Sequence, residues 1–127
     1  MENKIKKRIL VVDDEASLRS ALRDKLAYEG FIVLEAKDGE EGLEIALREQ
    51  PDLILLDIIM PKMDGLTMLK KLRENSWGKD AKVILLTNLS DNEKVANAMA
   101  QETYDYLVKS DWKIADVVAK VREWLGD

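Results

Sequence analysis

The 127-residue sequence predicts an α/β domain built on a parallel β-sheet with helices on both faces. Two observations carry that prediction. Apolar runs of strand length, unbroken by polar alternation, recur along the chain, as expected of parallel strands covered on both sides. Segments with apolar residues at helical spacing separate them, so strand and helix alternate five times, with crossovers expected to be right-handed.

The first strand is Ile9-Leu-Val-Val12, which runs directly into Asp13 and Asp14. Leu18, Leu22 and Leu26 repeat at four-residue spacing and mark the first helix, which stops at Gly30, a residue suited to a left-handed cap. Ile32-Val-Leu34 is the second strand. Asp38 and Glu41 have capping-box spacing and should start the second helix. The third strand, Leu53-Ile-Leu-Leu56, ends on Asp57, and Met60, Met63 and Met68 read as gap-filling side chains around the third helix. The fourth strand, Val83-Ile-Leu-Leu86, ends on Thr87, and Ser90 with Glu93 repeats the capping-box spacing at the start of a fourth helix. That helix, around Asn92 to Gln101, has an apolar face of mostly Ala with Val95 and Met99, and should be the least firmly packed. Tyr106-Leu-Val108 is the fifth strand, ending on Lys109. Ile114, Val117, Val118, Val121, Trp124 and Leu125 form one apolar stripe on the last helix, preceded by Trp112, which either supports that helix or joins a binding face. With no repeat, low-complexity stretch or linker, one domain over residues 1–127 is expected, its core at about 8–125.

Composition narrows the chemistry. A net charge of −5 and a pI near 4.9 argue against direct nucleic-acid binding, which needs clustered excess Lys and Arg. The absence of Cys excludes disulfides and thiolate sites, and the absence of His excludes the commonest general base and the usual zinc ligands. The apolar run after the basic Lys4, Lys6, Lys7 and Arg8 is too short for a signal-peptide core or a membrane span, so a cytoplasmic protein is expected. Carboxylates, hydroxyls and Lys must carry any reaction.

In open parallel sheets, ligands bind beyond the carboxyl ends of the strands. Those ends hold Asp13 and Asp14, Asp57, Thr87 and Lys109. Each alone has a plain structural explanation: a helix cap, a turn hydroxyl, a solvated charge. Three acids converging at strand ends would repel one another unless a cation sits between them, and an all-oxygen donor set with room for water and phosphate oxygens suits Mg²⁺.

The segments Ile9-Leu-Val-Val-Asp-Asp-Glu15, Pro51-Asp-Leu-Ile-Leu-Leu-Asp-Ile-Ile-Met-Pro-Lys-Met-Asp-Gly65, Val83-Ile-Leu-Leu-Thr87 and Tyr104-Asp-Tyr-Leu-Val-Lys109 resemble the receiver domains of two-component response regulators, including single-domain chemotaxis regulators. The most specific piece is Asp57 followed by Met60-Pro61 and Asp64-Gly65. The resemblance implies a flavodoxin-like, doubly wound sheet of order 2-1-3-4-5, which brings the first and third strands together. It implies a phosphoacceptor switch rather than a classical enzyme, with Asp57 forming an aspartyl phosphate. Asp13, Asp14, Asp57 and the backbone carbonyl of Ile59 would hold Mg²⁺; Thr87, Lys109 and Asn88 would contact the phosphoryl group; Thr87 and Tyr106 would act as the switch. The implied partners are a sensor histidine kinase or histidine phosphotransfer protein and a downstream effector, with no membrane, and with a monomer or phosphorylation-dependent dimer as the assembly. The output face would be the fourth helix, fifth strand and fifth helix.

The sequence departs from the family in four places. Asn88 stands where the family usually has Ala, Gly or Ser, and either crowds the site or adds a donor. Ser110 replaces the usual cis Pro; a cis Lys109–Ser110 bond would cost about 2.5 to 4 kcal/mol, so either a trans bond with a reshaped loop or a strained cis bond is expected. Thr103 and Tyr104 are bulkier than the usual Gly and Ala. These departures keep open a receiver-like module that works unphosphorylated. An Asp-nucleophile phosphatase is disfavoured by Ile59, where that class has a second Asp, and a nucleotide or flavin carrier by the lack of a Gly-rich phosphate loop.

Overall fold

A computed structural model of the chain describes residues 6–87, 105–108 and 113–126, the backbone alone at 87 and 105–108. Five strands, β1 (Arg8–Val12), β2 (Ile32–Ala36), β3 (Leu53–Asp57), β4 (Val83–Thr87) and β5 (Asp105–Val108), form one sheet in the order β2-β1-β3-β4-β5. All four pairings are parallel, so the order is the one the resemblance implied. Between the strands lie α1 (Ala16–Tyr28), α2 (Gly39–Glu49), α3 (Gly65–Arg73) and a short 3-10 turn (Gly78–Asp80), and the C-terminal helix spans Ile114–Leu125. The expected fourth helix, its Ser90–Glu93 cap, and Thr103, Tyr104, Ser110 and Trp112 lie outside the described residues.

The unbroken apolar runs are explained by two cores. Ile9, Val11, Leu53, Leu55, Ile84 and Leu86 face Leu22 and Leu26 of α1 and Val117, Val118 and Val121 of the C-terminal helix. The intervening Leu10, Val12, Ile54, Leu56, Val83 and Leu85 face Met68, Leu69 and Leu72 of α3 and Ala46 of α2. Every one of these strand residues is fully buried, which removes the polar alternation of a one-faced sheet. Met60 and Met68 are buried and Met63 packs beside them, in keeping with a gap-filling role.

Helix ends follow local chemistry. Gly30 takes φ +100°, the Gly30 N–H donates to the Ala27 carbonyl at 3.1 Å, and the Phe31 N–H donates to the Leu26 carbonyl at 3.0 Å. That pair of bonds is a Schellman cap, and it turns Phe31 and Leu26 into the same core. The Asp38 carboxylate accepts from the Glu41 N–H at 2.8 Å, while the Glu41 carboxylate accepts from the Lys37 N–H at 2.9 Å, one residue earlier than a strict capping box requires.

Candidate functional site

Register brings the acids together. Val12 is level with Leu56 across the β1–β3 pair, so one step further along both strands Asp13 comes level with Asp57. Asp57 is the last residue of β3, one place beyond the expected strand end. One carboxylate oxygen each from Asp13, Asp14 and Asp57 lie within 4.8 Å of one another, the only acidic group of this kind among the described residues. Asp13 is fully buried and Asp57 is 4% exposed, while Asp14 is exposed and forms the open side.

Several bonds shape the turn that carries Asp13 and Asp14. The Asp13 N–H extends the β2 ladder by donating to the Ala36 carbonyl at 3.1 Å. Its carboxylate Oδ1 accepts from the Glu15 N–H at 2.9 Å, an Asx-type turn that leads into α1. Its carbonyl accepts from Arg19 Nη1 at 2.7 Å.

Backbone close approach shapes the loop after Asp57. The Gly65 N–H donates to the Ile58 carbonyl at 2.7 Å, and a Cβ on Gly65 would collide with the Asp57 carbonyl. The Gly39 N–H donates to the Met63 carbonyl at 3.0 Å, where a Cβ would likewise collide, so the loops after β2 and β3 are in contact. Lys62 takes φ +66° and the Met63 N–H donates to the Pro61 carbonyl at 2.8 Å, which is a γ-turn with its central residue in the left-handed region. Asp64 then caps α3, its carboxylate accepting from the Thr67 N–H at 2.8 Å.

The expected site residues therefore fall into three groups. Asp13, Asp14 and Asp57 are brought together. Ile59 lies two residues beyond Asp57 and is 48% exposed. The Thr87 backbone closes β4 level with Val108, and Tyr106 stands level with Leu85 in β5; the side chains of Thr87 and Tyr106, and all of Asn88 and Lys109, lie outside the described residues. Sequence reasoning missed Arg19 and the reasons for Gly39 and Gly65. Arg19 had left one signal: a cation at the fourth residue of a helix opposes the helix dipole and asks for a partner.

The donor set fits a hard divalent cation. Three carboxylates at one point, two of them buried, supply oxygen ligands, and exposed Asp14 leaves one side open for further oxygens.

Residues 9–122 match the family described as the response regulator receiver domain. The chain is 44% identical over 104 residues to the probable transcriptional regulator ycf27 of Porphyridium aerugineum, covering 82% of this chain and 42% of that protein. It is 40% identical over 119 residues to the response regulator MprA of Mycobacterium leprae, covering 93% of this chain and 50% of that protein. The chain thus spans about half the length of the curated relatives it matches. Among solved structures it is similar to the receiver domain of the sensor histidine kinase PA1611 of Pseudomonas aeruginosa PAO1, with a TM-score of 0.86 at 26% identity, covering 97% of this chain and all of that one; that structure has a magnesium ion coordinated in its active site cleft.

Proposed function

The chain belongs to the response regulator receiver domain family, and from that premise we propose that it is a phosphoacceptor switch of a two-component system whose acceptor is Asp57. The observation that carries this reading is the gathering of the Asp13, Asp14 and Asp57 carboxylates within 4.8 Å at the ends of β1 and β3. Asp13, Asp14, Asp57 and the Ile59 carbonyl would hold Mg²⁺. When bound, Mg²⁺ offsets the charge of the acids and of the incoming phosphoryl oxygens.

The Asp57 carboxylate attacks phosphorus, a P–O bond forms as the P–N bond of a donor phosphohistidine breaks, and the nitrogen keeps the electron pair and takes up a proton. No general base is required, because a carboxylate nucleophile has no proton to give up as it attacks. The chain contains no His and cannot serve as its own phosphohistidine donor, so the donor is a sensor kinase, a phosphotransfer protein or a small phosphodonor. Burial of Asp57 limits its exposure to water, and exposed Asp14 marks the side from which a donor reaches it. Thr87, Lys109 and Asn88 would meet the phosphoryl oxygens, and Thr87 with Tyr106 would pass the change to the fourth helix, fifth strand and fifth helix, which controls contact with an effector. Assistance to its own phosphorylation and dephosphorylation comes from the same groups, with no turnover of external esters.

Membership of the receiver family supports a cytoplasmic place of action; no helix among the described residues is long and apolar enough to cross a membrane. A net charge of −5 supports an output through protein contacts, with any DNA binding left to a linked segment of the kind the longer transcriptional relatives have room for. Beryllofluoride, a phosphoryl mimic, given with Mg²⁺ should change the Trp fluorescence or amide shifts of the parent and leave Asp57→Asn unchanged. No response in the parent contradicts the switch. The substitutions at Asn88 and Ser110 favour a second reading, a module that binds its partner unphosphorylated; equal partner affinity with and without beryllofluoride would select it.

A further inference from the structure

Arg19 connects the acidic turn to the edge of the sheet. Its Nη1 donates to the Asp13 carbonyl at 2.7 Å, and its Nε donates to Glu35 Oε1 at 3.2 Å. Glu35 sits on β2, and Arg23, one turn further along α1, donates to Glu35 Oε2 at 3.2 Å from the other side. The next residue of β2, Ala36, accepts the Asp13 N–H. Both backbone polar groups of Asp13 are therefore referred to β2, one directly and one through Arg19. The Asp13 carbonyl and the Asp14 N–H belong to one planar peptide unit, so a bond to that carbonyl sets the plane from which Asp14 projects. The Glu15 N–H at the start of α1 holds the Asp13 carboxylate and not its carbonyl, the first turn of α1 has no acidic residue, and Glu15 makes no side-chain capping bond. The Arg19 side chain is 20% exposed, so water has limited access to take its place.

We propose that Arg19, held by Glu35, is a positioning residue that orients the Asp13–Asp14 turn for a divalent cation. The proposal rests on the reading of the acid trio as a Mg²⁺ site. A planar guanidinium spans the carbonyl and the carboxylate with separate N–H groups in fixed geometry, which the single ammonium of Lys does not reproduce. Arg23 shares Glu35 but has no bond to the turn, so it separates positioning from mere attachment of α1 to β2.

The test is a Mg²⁺ titration of the full chain by calorimetry, together with urea unfolding and the amide shifts of Asp14 and Glu15 in metal-free protein. Arg19→Gln should weaken Mg²⁺ binding about tenfold, the lower end of what loss of an outer-shell partner costs a metal site. It should also move both amide shifts. Arg23→Gln should lose comparable stability, keep Mg²⁺ affinity within about twofold and leave the Asp14 amide in place. Arg19→Lys should fall between the parent and Arg19→Gln, and it carries the comparison if Arg19→Gln does not fold. Parent affinity in the Arg19 variants, or equal loss in Arg19→Gln and Arg23→Gln, overturns the positioning role alone. A parent chain that binds no Mg²⁺ overturns the reading of the site as well.

Discussion

At the carboxyl end of the sheet Asp13, Asp14 and Asp57 hold like charges within 4.8 Å, whereas at the amino end Arg8 meets Glu49 at 2.7 Å and Arg122 meets Glu29 at 2.6 Å. The amino end also uses Lys82 Nζ to satisfy the Trp124 carbonyl near the end of the C-terminal helix, at 2.7 Å. Helix C-termini gather there, and cations suit them. Glycine separates the ends as well. Gly39 and Gly65 at the carboxyl end are required by backbone collisions, while Gly30 at the amino end has open space around it and is required by φ +100°. One end gathers three carboxylates at one point; the other sets cations against acids and helix carbonyls. The acids converge at the end where strands deliver them, while the opposite end is cross-linked by ion pairs between elements.

The largest effect should come from adding a methyl group at the crowded end. Gly65→Ala must displace the backbone carbonyl of Asp57 itself and should destabilise by about 3 kcal/mol in urea unfolding, the upper part of the range for overpacking. Gly39→Ala, against the Met63 carbonyl, should approach it. Gly30→Ala has no collision and should cost only about 1 to 2 kcal/mol, the penalty of an L-residue at positive φ. Equal losses at Gly65 and Gly30 would erase the distinction between the ends.

Mg²⁺ should act on the carboxyl end. At a hundred times its Kd it should raise the unfolding free energy by about 2.7 kcal/mol, with the gain removed by a chelator and reduced in Asp57→Asn.

The smallest effect belongs to the paired charges. The Arg122 guanidinium, then Lys25, holds the Glu29 carboxyl below its ordinary value of 4.5, and Arg48, then Arg8, does the same for Glu49. A carboxyl whose pKa falls on folding stabilises the fold above its unfolded value and loses that contribution as pH falls through the folded one. Stability should therefore decline modestly below about pH 4.5, and Glu29→Gln should flatten part of that slope in acid titrations.

The strands were legible because parallel, doubly covered strands leave a one-dimensional trace of unbroken apolar residues. The first helix stop was legible because Gly30 is a local requirement of its own turn. The meeting of Asp13 with Asp57 was not contained in periodicity, which says nothing about which strands are neighbours; the family resemblance supplied the order that the sheet shows. The Arg19–Glu35 bond joins residues 16 apart on different elements, and neither residue type announces it. Gly65 was visible as part of a motif, but its cause, the Asp57 carbonyl behind its Cα, exists only in three dimensions.

The most direct test of the central claim is the intact mass of the chain after incubation with acetyl phosphate. With Mg²⁺ the parent should gain one phosphoryl group, and it should gain none without Mg²⁺ or as Asp57→Asn. An unchanged parent mass with Mg²⁺ present, or the same gain in Asp57→Asn, would contradict the assignment of Asp57 as the acceptor.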